Sequence, residues 1–180
     1  ERTLMLARDH VGIKPLYYFH QPGGNNQPGL FIFASEVKAI LATSLVPRAL
    51  DAEALNQFLT FLWVPDPNTL FQGIKTVPPG HTLTLRNGQV SINQWWDVSF
   101  DEIETGRSEA WWREKVLETL DKVVRMEMVS DVPLGSFLSG GIDSSGIVAM
   151  MDRHSNGQKI STYTAGIKSA SSTEFGPTKE

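Results

Sequence analysis

The sequence predicts a chain of mixed α/β and α+β class in two parts: antiparallel strands with short helices, then the opening of a parallel-sheet unit. Three observations carry this. Asn87-Gly88 stands between alternating apolar runs, the strongest short hairpin signal, because both central turn residues need positive φ. Residues 134–165 read as buried strand, polar turn, helix and strand, the βαβ order that implies a parallel pair. Between these regions residues 97–106 are acidic and polar, and a domain boundary is expected there.

Leu4-Met5-Leu6-Ala7 reads as a short strand and Leu16-Tyr17-Tyr18-Phe19 as a second, with turn residues Gly12 and Pro15 between them. Residues 21–29 hold three Gly and two Pro and mark a loop. Leu30-Phe31-Ile32-Phe33-Ala34 is a third strand. Ser35 is expected to cap a short helix running through Glu36, Val37, Ile40 and Leu41. Asp51 is expected to cap the next helix, with Leu55, Phe58, Leu59 and Leu62 on one face. Residues 64–80, with Pro65, Pro67, Pro78 and Pro79, read as a long ordered connection. Thr82-Leu83-Thr84-Leu85 and Val90-Ser91-Ile92 form the hairpin. Ser108 then caps a long helix on which Trp112, Val116, Leu120, Val124 and Met128 make one apolar row. Asp131-Val132-Pro133 ends it. Leu134 to Leu138 is a buried strand, residues 139–145 a polar turn, residues 146–151 a helix, and Ile160 to Ala165 the next strand.

Composition bounds the function. The 180 residues are 41% hydrophobic and 20% charged, ordinary for a globular chain with a sizeable core. The formal net charge is −4 and no basic block occurs, which argues against non-specific binding to nucleic acid or anionic membrane. No apolar run approaches the roughly 20 residues that span a bilayer. There are no cysteines, which excludes disulfides, thiolate metal sites and a Cys nucleophile on this chain. Glu1-Arg2-Thr3 does not read as a signal peptide, so the cytoplasm is the expected compartment. Both edges read as cut points within a longer polypeptide.

The chemistry concentrates in Ser139-Gly140-Gly141-Ile142-Asp143-Ser144-Ser145. Two glycines let the backbone approach a ligand closely. The N–H groups at a helix start are unpaired and carry the positive end of the dipole. Hydroxyls of Ser139, Ser144 and Ser145 can add bonds to phosphate oxygens. Asp143 cannot bind phosphate itself, but it makes sense beside Mg²⁺ bridging carboxylate and phosphates. No Lys occurs from Leu134 to Gly146, so this is not a Walker A loop, nor is it a G-x-G-x-x-G turn. Without Lys the loop leans on backbone donors and metal, which suits gripping pyrophosphate as a leaving group. The bland alternative is a Gly-Gly turn with a helix cap. Five specified residues, each used at roughly 5–7%, arise by chance about once in a million positions.

Ser-Gly-Gly-x-Asp-Ser after a strand resembles the motif of the PP-loop ATP pyrophosphatases, the adenine nucleotide α-hydrolase-like domains. The longer run from Ser130 to Ser145 resembles the glutamine-hydrolysing asparagine synthetase family. Arg8-Asp9-His10-Val11-Gly12-Ile13-Lys14-Pro15-Leu16-Tyr17-Tyr18 and Phe33-Ala34-Ser35-Glu36-Val37-Lys38-Ala39 resemble the later part of a class II glutamine amidotransferase domain, and Thr69 to Ile74 with Pro78-Pro79-Gly80-His81 resembles the junction in the same enzymes. Only the segment from Lys168 matches nothing.

The resemblance implies the C-terminal part of an Ntn-type amidotransferase sheet with its connection over residues 1–100. It implies the start of the parallel-sheet PP-loop synthetase domain over residues 107–180. The implied parent takes glutamine and aspartate, uses ATP and Mg²⁺, and forms asparagine through β-aspartyl-AMP with release of AMP and pyrophosphate. By the same resemblance Ser139, Gly140, Gly141, Asp143 and Ser144 hold pyrophosphate and Mg²⁺, with Asp143 the metal ligand. Phe137 or Leu138, and the stretch from Tyr163 to Ala165, touch adenosine. The family's glutaminase nucleophile is an N-terminal Cys, expected upstream of Glu1, and its aspartate-binding residues are expected beyond Glu180. The fragment alone is then inactive. A homodimer, a ligase for another carboxylate such as a β-lactam synthetase-like enzyme, and an inert anion-binding fragment stay open.

Other constellations have blander readings. Arg8, Asp9 and Lys14 are expected to form a structural ion-pair cluster. His10, His20, His81 and His154 lack metal-ligand spacing. Trp95-Trp96 and Trp111-Trp112 suit packing, and Asp101, Glu102 and Glu104 suit solvent.

Overall fold

A computed structural model describes residues 2–24, 28–101 and 103–166. Glu102 and the segment from Lys168 onward, on which expectations were placed above, lie outside the described residues, as does the middle of the loop at 25–27. The chain divides into two units, residues 1–102 and 103–180.

In the first unit β1 (Thr3–Ala7), β5 (His81–Arg86) and β6 (Gln89–Gln94) make one antiparallel sheet, in the order β1-β5-β6. β2 (Tyr17–Gln21), β3 (Leu30–Ala34) and β4 (Ile74–Thr76) make another, in the order β3-β2-β4. The β5–β6 turn has the predicted geometry, with φ 51° at Asn87 and 77° at Gly88. Side chains alternate across each strand, and that alternation builds two layers. Leu6, Val77 and Leu83 are buried with Leu4, Tyr18 and Phe31 around them, between the two sheets. Phe19 and Ile74, on the other face of β2 and β4, pack with Ile40, Val37 and Leu41 of α1 (Val37–Ala42).

Four expectations change here. Ser35 does not cap α1; the N-cap is Glu36, without a side-chain bond, because its carboxylate lies 2.6 Å from Lys38 Nζ instead. The apolar stripe of α2 (Ala52–Phe61) is not core: Leu59 is 70% exposed, Leu62 is 81% exposed, and only Ala54 is buried. The sheets and α1 already fill the core, and no described element covers that face. Asp51 does cap α2, accepting from Ala54 N at 3.0 Å. The proline-rich connection hides β4, whose three residues are too few to show a period of two. Arg8 does not pair with Asp9. Its guanidinium lies 3.3 Å from Asp66 and donates to the carbonyls of Val77, Gly12 and Lys14 at 2.8, 3.1 and 3.2 Å. Asp9 instead accepts from Ile13 N and Lys14 N at 2.8 and 3.0 Å.

The second unit comprises α3 (Glu109–Glu127), β7 (Gly135–Phe137), α4 (Ile142–His154) and β8 (Ser161–Tyr163). Ser108 caps α3, accepting from Trp111 N at 3.2 Å. Val124, Met150 and Met151 form the core where α3 meets α4. The apolar row on α3 is buried only there: Trp112, Val116 and Leu120 remain exposed. β7 and β8 pair in parallel, with Gly135, Ser136 and Phe137 opposite Ser161, Thr162 and Tyr163. β7 is not the buried strand expected, because a two-stranded ladder covers neither of its faces fully. α4 starts at Ile142 rather than Gly146, so Asp143, Ser144 and Ser145 belong to its first turn, not to a free turn. Among the described residues no helix is long and apolar enough to cross a membrane.

Candidate functional site

The loop between β7 and α4 is built from the strand outward. Leu138 N donates to Tyr163 O at 2.9 Å, and the Thr164 hydroxyl donates to Leu138 O, so the chain leaves the ladder at a fixed point. Gly140 then turns it with φ 83°, and an added Cβ there would meet nothing within 4 Å. Gly141 is the N-cap of α4, in extended conformation, and no side chain caps the helix. The first intrahelical bond is Ser145 N to Gly141 O, 3.1 Å. The N–H groups of Ile142, Asp143 and Ser144 therefore have no intrahelical acceptor, and the space over Gly140 is open.

Ser139 and Ser144 brace this turn. The Ser144 hydroxyl donates to Gly141 O at 3.2 Å and accepts from Ser139 N at 3.3 Å, and the two hydroxyl oxygens lie 3.0 Å apart. In this arrangement both hydroxyls are spent on the loop itself, and the donors left for an anion are backbone N–H groups. Asp143 is exposed in the first turn of α4, where a carboxylate also suits the positive end of the dipole.

Mg²⁺ fits this donor set only in part. Among the described residues no three His, Cys, Asp or Glu gather to hold a metal. Asp143 offers one carboxylate, and the remaining oxygens would come from phosphates and water, the usual way Mg²⁺ is held beside a nucleotide.

The strand residues expected near adenosine divide. Phe137, 83% exposed, and Tyr163, 61% exposed, stand side by side in the parallel register, and the Tyr163 ring lies over Gly135. Leu138 points the other way, into a shallow groove of about 580 Å³ shared with Ser145, Val148, Ala149, Lys159 and Ile160. Ala165 is exposed beyond the end of β8. The Thr164 hydroxyl bond was not legible in the sequence, because its partner lies 26 positions away and only the strand register brings them together.

The histidines do not converge. His10 stands between Trp95 and Trp96, with ring centroids 4.7 and 4.9 Å away. His20 and His81 contact the carbonyls of Gly88 and Pro79, and His154 Nε2 lies 3.1 Å from Asp121. Trp111 packs on Trp112 and under Arg107, which pairs with Glu104. Asp101 accepts from the Ser99 hydroxyl.

The family model for a glutamine amidotransferase domain matches residues 1–96. The chain belongs to that family. A second model, asparagine synthase, matches residues 115–179, which include the Gly-Gly loop. The chain is 35% identical over 181 residues to asparagine synthetase [glutamine-hydrolyzing] 1 of Bacillus subtilis, an alignment covering 100% of this chain and 27% of that protein. It is 33% identical over 159 residues to asparagine synthetase [glutamine-hydrolyzing] 3 of the same organism, covering 84% of this chain and 24% of that protein. It is also 34% identical over 174 residues to the amidase chry2 of Gibberella zeae, covering 94% and 24%. The chain thus spans about a quarter of the length of these curated relatives.

Proposed function

We propose that this chain is a segment of an ATP-dependent amidoligase that makes asparagine from aspartate and glutamine. In this reading residues 1–100 are part of an Ntn-type amidotransferase domain with its connection. Residues 107–180 begin a PP-loop ATP pyrophosphatase domain, and the protein works in the cytoplasm. The observation that carries the reading is the open Gly140-Gly141 turn, which leads into an uncapped helix start bearing the exposed Asp143, with no lysine from Leu134 to Gly146.

The chemistry asks little more of such a loop. An aspartate carboxylate oxygen attacks the α-phosphorus of ATP, the bond from that phosphorus to the bridging oxygen breaks, and pyrophosphate leaves. Ammonia from glutamine then attacks the acyl carbon of β-aspartyl-AMP and displaces AMP. The N–H groups of Ile142, Asp143 and Ser144, with the dipole of α4, hold the departing phosphates. Ser139 and Ser144 keep the turn open, and Gly140 leaves room for the phosphates to approach the backbone. Asp143 would hold Mg²⁺, which neutralises charge on the leaving pyrophosphate when bound. Leu138 or Phe137, and Ala165, flank the adenosine. With no cysteine, these residues supply no thiol for the glutamine half of the reaction.

Calorimetry of the 180-residue chain with Mg-ATP tests the reading. Micromolar binding is expected, and Asp143→Ala is expected to make ATP binding indifferent to Mg²⁺. No heat with the wild-type chain would overturn it. A second reading keeps the loop but changes the carboxylate, and the amidase-named relatives favour it. Pyrophosphate release screened across carboxylic acids in the full-length parent separates the two.

A further inference from the structure

The exit of the β7–β8 ladder contains a substitution of one donor for another. In a parallel ladder every second residue of a strand bonds to the two neighbours of the residue beside it. Ser136 lies beside Thr162 and Phe137 beside Tyr163, so the next rungs would run from Leu138 N to Tyr163 O and from Ala165 N to Leu138 O. The first is present at 2.9 Å. The second is not: the Thr164 side-chain hydroxyl donates to Leu138 O in its place. The Leu138 carbonyl is satisfied, the ladder stops, and the Ala165 N–H has no acceptor among the described residues. Leu138 is the residue that leads into Ser139 and Gly140, so this hydroxyl also fixes where the loop departs.

We infer that Thr164 is a positioning residue for a nucleotide bound at the Gly140-Gly141 turn: its hydroxyl ends the β7–β8 ladder at Leu138, so that the Ala165 N–H is kept for the ligand. The inference rests on the phosphate-loop reading proposed above. Valine has nearly the volume of threonine and lacks the hydroxyl. With valine at position 164 the Leu138 carbonyl is left without a donor, and the cheapest repair is the missing rung from Ala165 N–H. That repair spends the amide.

The test pairs Mg-ATP affinity with amide exchange on the full 180-residue chain. Thr164→Val is expected to weaken Mg-ATP binding roughly fivefold, the effect of one net hydrogen bond, and to protect the Ala165 amide in the absence of nucleotide. Thr164→Ser is expected to restore the affinity to within about twofold of wild type, which a loss of stability alone would not require. In the wild type the Ala165 amide is expected to exchange freely until Mg-ATP is added. A protected Ala165 amide in the nucleotide-free wild type would overturn the inference without any variant, and so decides the case even where Thr164→Val fails to fold. Equal Mg-ATP affinity of wild type and Thr164→Val would overturn it while leaving the loop reading intact. No binding by the wild type would remove both.

Discussion

Asp9 shows how one side chain can carry a turn that spacing alone leaves ambiguous. The Lys14 amide above all, joined by that of Ile13, holds its carboxyl below its ordinary value of 3.8, against the opposing effect of desolvation. A depressed native value means that the folded chain binds fewer protons than the unfolded chain in this range. The stabilisation is therefore present above about pH 4 and is lost as the pH falls through the native value. We expect Asp9→Asn to flatten the acid limb of a plot of melting temperature against pH. Parallel curves for the two proteins below pH 4 would exclude the role. The residue types at this turn were visible in the sequence, but not their partners. Arg8 and Asp9 are neighbours, and proximity suggested a pair. The guanidinium instead donates to the carbonyls of Lys14, Gly12 and the distant Val77, and finds its carboxylate at Asp66.

Helices and strands were legible wherever local chemistry decides them. Ser108 and Asp51 cap as their types predict, and Asn87-Gly88 forces its hairpin. Ser108→Ala should lower the unfolding free energy by about 1 kcal/mol, the usual worth of a helix cap, read by urea denaturation followed at the α3 signal. No change would mean that α3 is held by its far end alone. The strand at 135–137 was legible by position but not by burial, since burial belongs to what packs on a strand and not to the strand itself. α4 starts four residues earlier than its sequence suggests, because Ser139 to Ser145 has the composition of a turn. Asp143 and Ser144 are turn formers that here serve as the first helical turn, where a carboxylate and a hydroxyl are favoured. In the candidate site the motif residues could be named from spacing, while the bracing of Ser139 by Ser144 could not.

The whole chain distributes its apolar burial unevenly. The first unit buries residues in two layers, whereas the second relies on Val124, Met150 and Met151. Opening free energy follows such contacts. Amides in the first three turns of α3, around Trp112 and Val116, are expected to exchange faster than those around Val124, and amides of β2 and β5 slower than both. Uniform protection along α3 would show that its exposed row is covered in solution.

The register of β1 has a consequence for how the molecule comes into being. Thr3 lies opposite Arg86 and Ala7 opposite Thr82, whereas β5 meets β6 across a two-residue turn. The entropy of joining distant segments grows with the logarithm of the intervening length, and distant pairings slow folding. During synthesis β1 therefore emerges long before its partner exists. The hairpin forms within itself, and β1 is among the last of these strands to find its place.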